Sequence, residues 1–181
     1  NAYFIEYTVS IIEFIGYIIL GFYINSKFNI TTIRYADWFI TTNMLLVSLS
    51  LFSLFNNIYY NPKSSETEKY EQLKKFDFHF IKQEYGDIFL KIFAANTLML
   101  IFGFLGELNY LNKYVSLILG LFFFTLSFKY IFDNFVQFNF INYITLGIFI
   151  FIWLLYAVAF LLDFNTKNIA YNLLDLISKN C

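Results

Sequence analysis

The sequence predicts an all-α, polytopic membrane protein, from its apolar composition, the length of its apolar runs and its shortage of charge. Of the 181 residues, 59% are hydrophobic, 24% are aromatic and only 14% are charged. A soluble domain of this size needs far more charge to cover its surface. The apolar residues also fall in runs near twenty long, roughly the helix length that crosses about 30 Å of hydrocarbon.

The same composition narrows the classes of function. The formal net charge is −1, which favours neither nucleic acid nor an acidic substrate as a partner. The single cysteine, Cys181, excludes an internal disulfide and a zinc site built from several cysteines. The sequence has no nucleotide-binding glycine loop, Ser/His/Asp set or metal-ligand spacing, so we expect no enzyme activity. Membrane lipid is the partner that the composition requires.

The first predicted span, residues 3–25, carries two carboxylates. Glu6 and Glu13 lie seven residues apart and therefore share one helical face. Carboxylates at membrane depth usually line a bundle interior or a water path. Solvation at the membrane interface is the other interpretation, and it is stronger for Glu6, which lies nearer the end of the span.

The second predicted span, residues 31–56, has a polar stripe near its start. Its side chains recur at helical spacings, with two apolar residues able to flank them and one hydroxyl further along. The stripe is Arg34, Asp37, Thr41 and Thr42, the flanking residues are Trp38 and Leu45, and the hydroxyl is Ser48. A long polar loop over residues 57–86 follows, with room for a short amphipathic helix around residues 68–80.

Three further spans are predicted at 87–108, 113–134 and 139–162, and a last helix from about residue 168. The first of them contains Asn96, Met99 and Gly103, and a glycine there lets another helix or a ligand approach closely. The third has aromatic residues spaced by three and four, which suits helix packing or a ligand pocket. These aromatic residues are Trp153, Tyr156 and Phe160.

The last helix places Asp175 and Lys179 four residues apart, so that both project from one face. A lysine at membrane depth is unfavourable by a few kcal/mol or more unless it faces the bundle interior and finds partners. The pair is either an ion pair between helices or a reactive site. Because the sequence begins at Asn1 and stops two residues after Lys179, we expect the natural protein to extend beyond both ends.

Two motifs resemble those of the microbial (type 1) rhodopsins. The segment Arg34-Tyr-Ala-Asp-Trp-Phe-Ile-Thr-Thr42 is similar to the family's third-helix motif, and Asp175-x-x-x-Lys179 to its seventh. Residues 95–106 resemble its fourth helix and residues 153–160 the aromatic set of its sixth. The resemblance implies a seven-helix retinal-binding bundle in which the spans seen here are helices B to G. Helix A would lie upstream of residue 1, and the polar loop would be the cytoplasmic connection between helices C and D.

The resemblance also implies roles for individual residues. Lys179 would carry all-trans-retinal as a Schiff base, with Asp37 and Asp175 as counterions and Arg34 balancing the second carboxylate. Thr42 and Asn96 would form a hydrogen-bonded pair between helices. The retinal pocket would be lined by Trp38, Thr41, Thr42, Leu45, Met99, Gly103, Trp153, Tyr156 and Phe160.

Two features favour a light-gated cation channel over the alternatives. Glu6 and Glu13 resemble the glutamates of the second channelrhodopsin helix, and Asn180 the asparagine after the retinal lysine. Glutamates along a pore favour cations. Ser48 stands where outward proton pumps keep a carboxylate, so a pump is the second interpretation and a photosensor the third. The overall resemblance is greatest to giant-virus rhodopsins, and we expect a single domain that forms a homo-oligomer and passes monovalent cations or protons.

Overall fold

Seven helices follow one another in the computed structural model, which describes residues 2–22, 27–74, 77–137 and 139–180. Side chains are described over these ranges except at residues 2–6, 13, 20, 27–29, 78, 179 and 180. No strand occurs in the described ranges, which confirms the all-α class. The helices are α1 Ala2–Phe22, α2 Lys27–Tyr59, α3 Glu66–Lys74, α4 Phe78–Glu107, α5 Lys113–Phe135, α6 Phe140–Phe160 and α7 Phe164–Asn180.

Four of the described helices contain segments that are long and apolar enough to cross a membrane. These segments are Ile30–Tyr59, His79–Glu107, Lys113–Phe135 and Phe140–Phe160. A shorter apolar stretch, Tyr7–Ile19, lies in α1. Large apolar side chains on their outer faces are exposed, such as Phe122 at 61% and Phe151 at 64%, as expected for surfaces that meet lipid rather than water.

The region predicted as a loop over residues 57–86 is more helical than the sequence analysis expected. Ser65 and Glu68 form a reciprocal capping box, because Glu68 N donates to Ser65 Oγ and Ser65 N donates to the Glu68 carboxylate. This box starts α3 at Glu66. Asp77 then accepts a hydrogen bond from Phe80 N at 2.8 Å and caps α4, which begins nine residues before the predicted start at 87.

Asparagine and aspartate side chains also set the starts of the later helices. Asn112 accepts from the backbone amides of Tyr114 and Val115 before α5, and Asn139 accepts from Ile141 N before α6. The turn between α4 and α5 contains Asn109 in the left-handed region, with φ 60°. An asparagine tolerates this conformation better than most residues.

The bundle packs around α2, which contacts α1, α4, α5 and α6, while α7 contacts α6 and α1. One apolar cluster joins the second half of α2 to α4 and α5 through residues such as Leu46, Ile92 and Phe128. A second, smaller cluster places Trp38 beside Leu174 of α7. The polar start of α2 and the α7 carboxylate are thereby brought to the same level of the bundle.

Candidate functional site

An apolar cavity lies between α2, α4, α5, α6 and α7, with about 840 Å³ of empty space when its open mouth is included. Eight of the nine residues predicted to line a ligand pocket do line this cavity. They are Trp38, Thr42, Leu45, Met99, Gly103, Trp153, Tyr156 and Phe160. Thr41 is the exception and does not line the cavity. Its side chain is fully buried, and its hydroxyl donates to the Asp37 carbonyl at 2.9 Å.

Aromatic rings give the cavity rigid walls. The Trp38 ring meets Tyr156 edge-on at 5.4 Å and Tyr171 edge-on at 5.0 Å between centroids. Trp153 packs edge-on against Phe128 at 5.4 Å. Such edge-to-face contacts between buried rings hold each ring in a defined plane. The cavity therefore offers rigid, mostly apolar walls that suit a flat apolar group.

Asp175 belongs to the lining of this cavity, is 2% exposed, and accepts hydrogen bonds from four side chains. The donors are Tyr17 at 3.1 Å, Arg34 at 3.4 Å, Trp38 at 3.0 Å and Tyr156 at 2.8 Å. They come from three different helices, α1, α2 and α6. We call Asp175 and these four donors the ionic cluster. These hydrogen bonds and the ion pair replace the contacts with water that a buried carboxylate loses.

Arg34 makes its ion pair with Asp175 on α7, across the bundle from its own helix. The other guanidinium nitrogen donates to Asn172 at 2.8 Å and to Asn168 at 3.4 Å, one and two turns before the carboxylate. Both groups of the ion pair are buried, with side-chain exposures of 5% and 4%. Arg34 thus places a positive charge beside the Asp175 carboxylate inside the bundle.

Asp37 faces α1 instead. A Cβ atom added to Gly16 would lie 3.6 Å from its carboxylate oxygen, so this glycine gives α1 room to approach the carboxylate closely. Asp37 is half-buried. Lys179 lies one turn after Asp175 in α7. Its side chain, and those of Glu6, Glu13 and Asn180, lie outside the described residues.

Thr42 and Asn96 meet between α2 and α4. The Asn96 amide donates to Thr42 Oγ1 at 2.8 Å and also to Asn43 Oδ1 at 3.0 Å. The Thr42 hydroxyl donates in turn to the Trp38 carbonyl at 2.5 Å. The side chain of Asn96 is fully buried, so this small network ties α4 to the helical turn that carries Trp38.

Sequence reasoning missed one wall of the cavity. The α5 residues that line it recur at intervals of one, three and four along a single helical face, which is the signal that could have found them. They are Ser116, Leu117, Gly120, Leu121 and Phe124. Tyr35 and Tyr171 were missed as well, the first against Gly103 and the second one turn before Asp175.

A second buried polar group lies far from the cavity, where α2 ends and α6 begins. Asn56 donates to Asn142 at 2.9 Å, Asn142 donates to Asn57 at 2.8 Å and to the Ser53 carbonyl at 3.1 Å, and Asn139 donates to the Asn56 carbonyl at 3.4 Å. We call the four asparagines the amide cluster. Asn142 is fully buried and Asn56 is 4% exposed, so these amides satisfy one another in place of water.

The fold and the cavity define a class: a helical membrane protein with an apolar, ring-walled cavity that has a buried carboxylate in its wall. A family model for bacteriorhodopsin-like proteins matches residues 1–181. Among solved structures, the chain is similar to one described as the crystal structure of viral rhodopsin OLPVRII. The two are 26% identical with a TM-score of 0.75, and the match covers 97% of this chain and 74% of that one. No curated protein sequence matches the chain.

The chain therefore belongs to the bacteriorhodopsin-like protein family and is a multi-pass membrane protein. The family implies a retinal bound to a lysine. The lining fits this group, because the cavity is apolar and walled by rings, and its lining includes Asp175, which lies one helical turn before Lys179.

Proposed function

We propose that this protein is a retinal photoreceptor that acts as a light-gated cation channel, with all-trans-retinal attached to Lys179. Bound retinal supplies light absorption and a light-driven change of shape. Asp175 would face the positive charge of the attached lysine, and Trp38, Trp153 and Tyr156 would hold the chromophore flat. Asp37, which lies on α2 and faces α1, would be the second counterion.

The ionic cluster would keep the site ready to hold a buried cation. Arg34 pairs with Asp175 at 3.4 Å, and the hydroxyls of Tyr17 and Tyr156 each donate to one of its two carboxylate oxygens. A buried lysine cation needs a nearby anion to remain charged. Asp175 offers one carboxylate in a fixed position, since every donor to it comes from a helix packed in the bundle. Asp37 would supply the second carboxylate that the two cations, Arg34 and Lys179, require together.

The observation that carries the channel proposal is the neutral character of the buried polar groups beyond the cavity. Four of them follow α2 towards its end, namely Ser48, Ser50, Ser53 and Asn56, and Asn142 of α6 meets the last of these. Among the described residues, no buried carboxylate lies in this half of the bundle. Hydroxyl and amide groups cannot deliver a proton at neutral pH as a carboxyl group can, but they can line a path for ions.

An outward proton pump is the second candidate. The two carboxylates Asp37 and Asp175 lie near Arg34 and favour a pump, because a pump needs a proton acceptor beside its chromophore.

In the channel, the cation path would be lined by Glu6 and Glu13 of α1 and by Asn180 of α7. The hydrogen-bonded pair Thr42 and Asn96 would couple α2 to α4.

Patch-clamp recording under illumination separates the candidates. A photocurrent that reverses when the cation gradient is reversed supports the channel, and an outward current that ignores the gradient supports the pump. Absence of any light-evoked current from a coloured protein contradicts both and favours a sensor.

Glu13→Gln tests the path itself. Because a glutamate along a pore attracts cations, its neutralisation should lower the conductance or shift the reversal potential. Glu84→Gln is the matched control, since Glu84 lies exposed on α4. Unchanged photocurrents in Glu13→Gln would remove that residue from the path.

A further inference from the structure

Glu107 and Lys167 form a second buried ion pair, which the proposed function does not use. The Lys167 ammonium lies 2.5 Å from the Glu107 carboxylate and joins the last residue of α4 to the first turn of α7. Their exposures are 5% and 7%. Neither side chain lines the cavity. An ion pair this deeply buried is unusual at a helix end, because charged side chains there are normally hydrated by solvent.

Tyr171 connects this ion pair to the ionic cluster. Its hydroxyl donates to the other Glu107 carboxylate oxygen at 3.2 Å. Its ring lies 5.4 Å from the Arg34 guanidinium, 5.0 Å from the Trp38 ring and 5.9 Å from the Tyr156 ring, which it stacks upon at 22°. These three neighbours are three of the four donors to Asp175. The orientation of the Tyr171 ring therefore affects three of the four hydrogen-bond donors to Asp175.

The helix itself places these groups in a row. Lys167, Tyr171 and Asp175 recur every four residues and are 7%, 3% and 2% exposed. Residues on the opposite side of α7, such as Ile169 at 62% and Leu173 at 57%, are exposed. One face of α7 thus carries a cation, a hydroxyl and an anion into the bundle, about one turn apart.

We propose that Glu107 is a positioning residue for the chromophore site. It holds Tyr171 by its hydroxyl, and the Tyr171 ring in turn fixes the three donors around Asp175. Lys167 holds the Glu107 carboxylate in place through their ion pair. This inference rests on the proposed function, because a change in the position of the Asp175 donors is detected through the absorption band of bound retinal.

The test compares the absorption band of the retinal-loaded protein in three variants. Tyr171→Phe removes only the hydroxyl and keeps the ring contacts. The double variant Glu107→Gln with Lys167→Met removes both charges, so that no unpaired ion stays buried. The third variant combines all three changes. We expect Tyr171→Phe and the Glu107/Lys167 double variant each to shift the absorption maximum. The combined variant should shift it no further than the larger of these two shifts, because coupled groups give non-additive effects.

The control is the double variant Lys129→Met with Asp133→Asn, which removes the exposed ion pair of α5 and should leave the band in place. An unshifted band in Tyr171→Phe overturns the inference. So does an unshifted band with a lowered melting temperature in the Glu107/Lys167 variant, because the pair then only clamps α4 to α7. If the unaltered protein forms no visible band with retinal, the proposed function fails and this inference fails with it.

Discussion

The ionic cluster and the amide cluster lie near opposite ends of α2 and solve the same problem by different chemistry. Arg34 and Asn56 are 22 residues apart in that helix, which corresponds to about 33 Å. At the first end, an ion pair and three neutral donors satisfy one carboxylate. At the second, asparagines satisfy one another without a net charge. Both clusters join helices that are far apart in sequence.

The contrast between the two clusters indicates where charge is needed in this bundle. A buried charge is tolerated only with its partner in place, whereas a buried amide needs nothing more than complementary hydrogen bonds. The ionic cluster contributes to the lining of the cavity, and Lys179 follows Asp175 one turn later in α7. The amide cluster lies where the proposed cation path would leave the bundle. Neutral amides there would bind a passing cation less tightly than a carboxylate would.

The largest effect on stability is expected at the ionic cluster. Asp175→Asn keeps the shape of the side chain but leaves the Arg34 guanidinium buried without an anion, which should destabilise the retinal-free protein by about 3–5 kcal/mol. Unfolding in detergent measures the loss. The double variant Arg34→Met with Asp175→Leu should recover much of it, because no lone charge remains. A single variant as stable as the unaltered protein would contradict the assignment of this ion pair.

A smaller effect is expected at the amide cluster. Asn142→Leu leaves Asn56 and Asn57 without one partner each, and an unsatisfied buried amide should lower stability by about 1–3 kcal/mol. The same unfolding assay applies, with Asn134→Leu as the control because Asn134 is exposed on α5. If Asn142→Leu destabilises the protein as much as Asp175→Asn does, the contrast between charged and neutral clusters is wrong.

The smallest effect concerns the exposed start of α7, beyond the ionic cluster. Hydrogen bonds from Thr166, through its side chain and then its backbone amide, hold the pKa of Asp163 below its ordinary value. A carboxyl group with a lowered pKa stabilises the fold at neutral pH, and this contribution is lost as the pH falls below about 4 and through the lowered pKa.

Asp163→Asn keeps a hydrogen-bond acceptor but cannot titrate. The melting temperatures of the variant and the unaltered protein should therefore differ slightly at pH 7 and converge in acid. A difference that stays constant down to pH 3 would show that the charge of Asp163 has no role in the helix start.

Local spacing predicted much of this structure. The separation of four residues between Asp175 and Lys179, and the polar stripe from Arg34 to Thr42, placed these groups on the helices that carry the site. The seven-helix family class followed from those motifs, and the family match confirmed it. Spacing within one helix could not show that Arg34 pairs with Asp175, because that contact joins residues 141 positions apart.

The features that were missed depend on how separate helices meet. The amide cluster draws asparagines from α2, the α5–α6 connection and α6, and each of them alone looks like an ordinary helix-end residue. Glu107 and Lys167 stand at helix ends, where charged residues are normally solvated. They are buried where α4 ends beside α7 and the Phe160 ring of α6. The early start of α4 depended on the Asp77 cap rather than on apolar residues.

The most direct test of the account is an absorption spectrum of the purified protein with added retinal. The unaltered protein should form a visible band, Lys179→Ala should form none, and Lys129→Ala, which changes an exposed lysine on α5, should keep the band. A coloured band that persists in Lys179→Ala, or no band in the unaltered protein, would contradict the account.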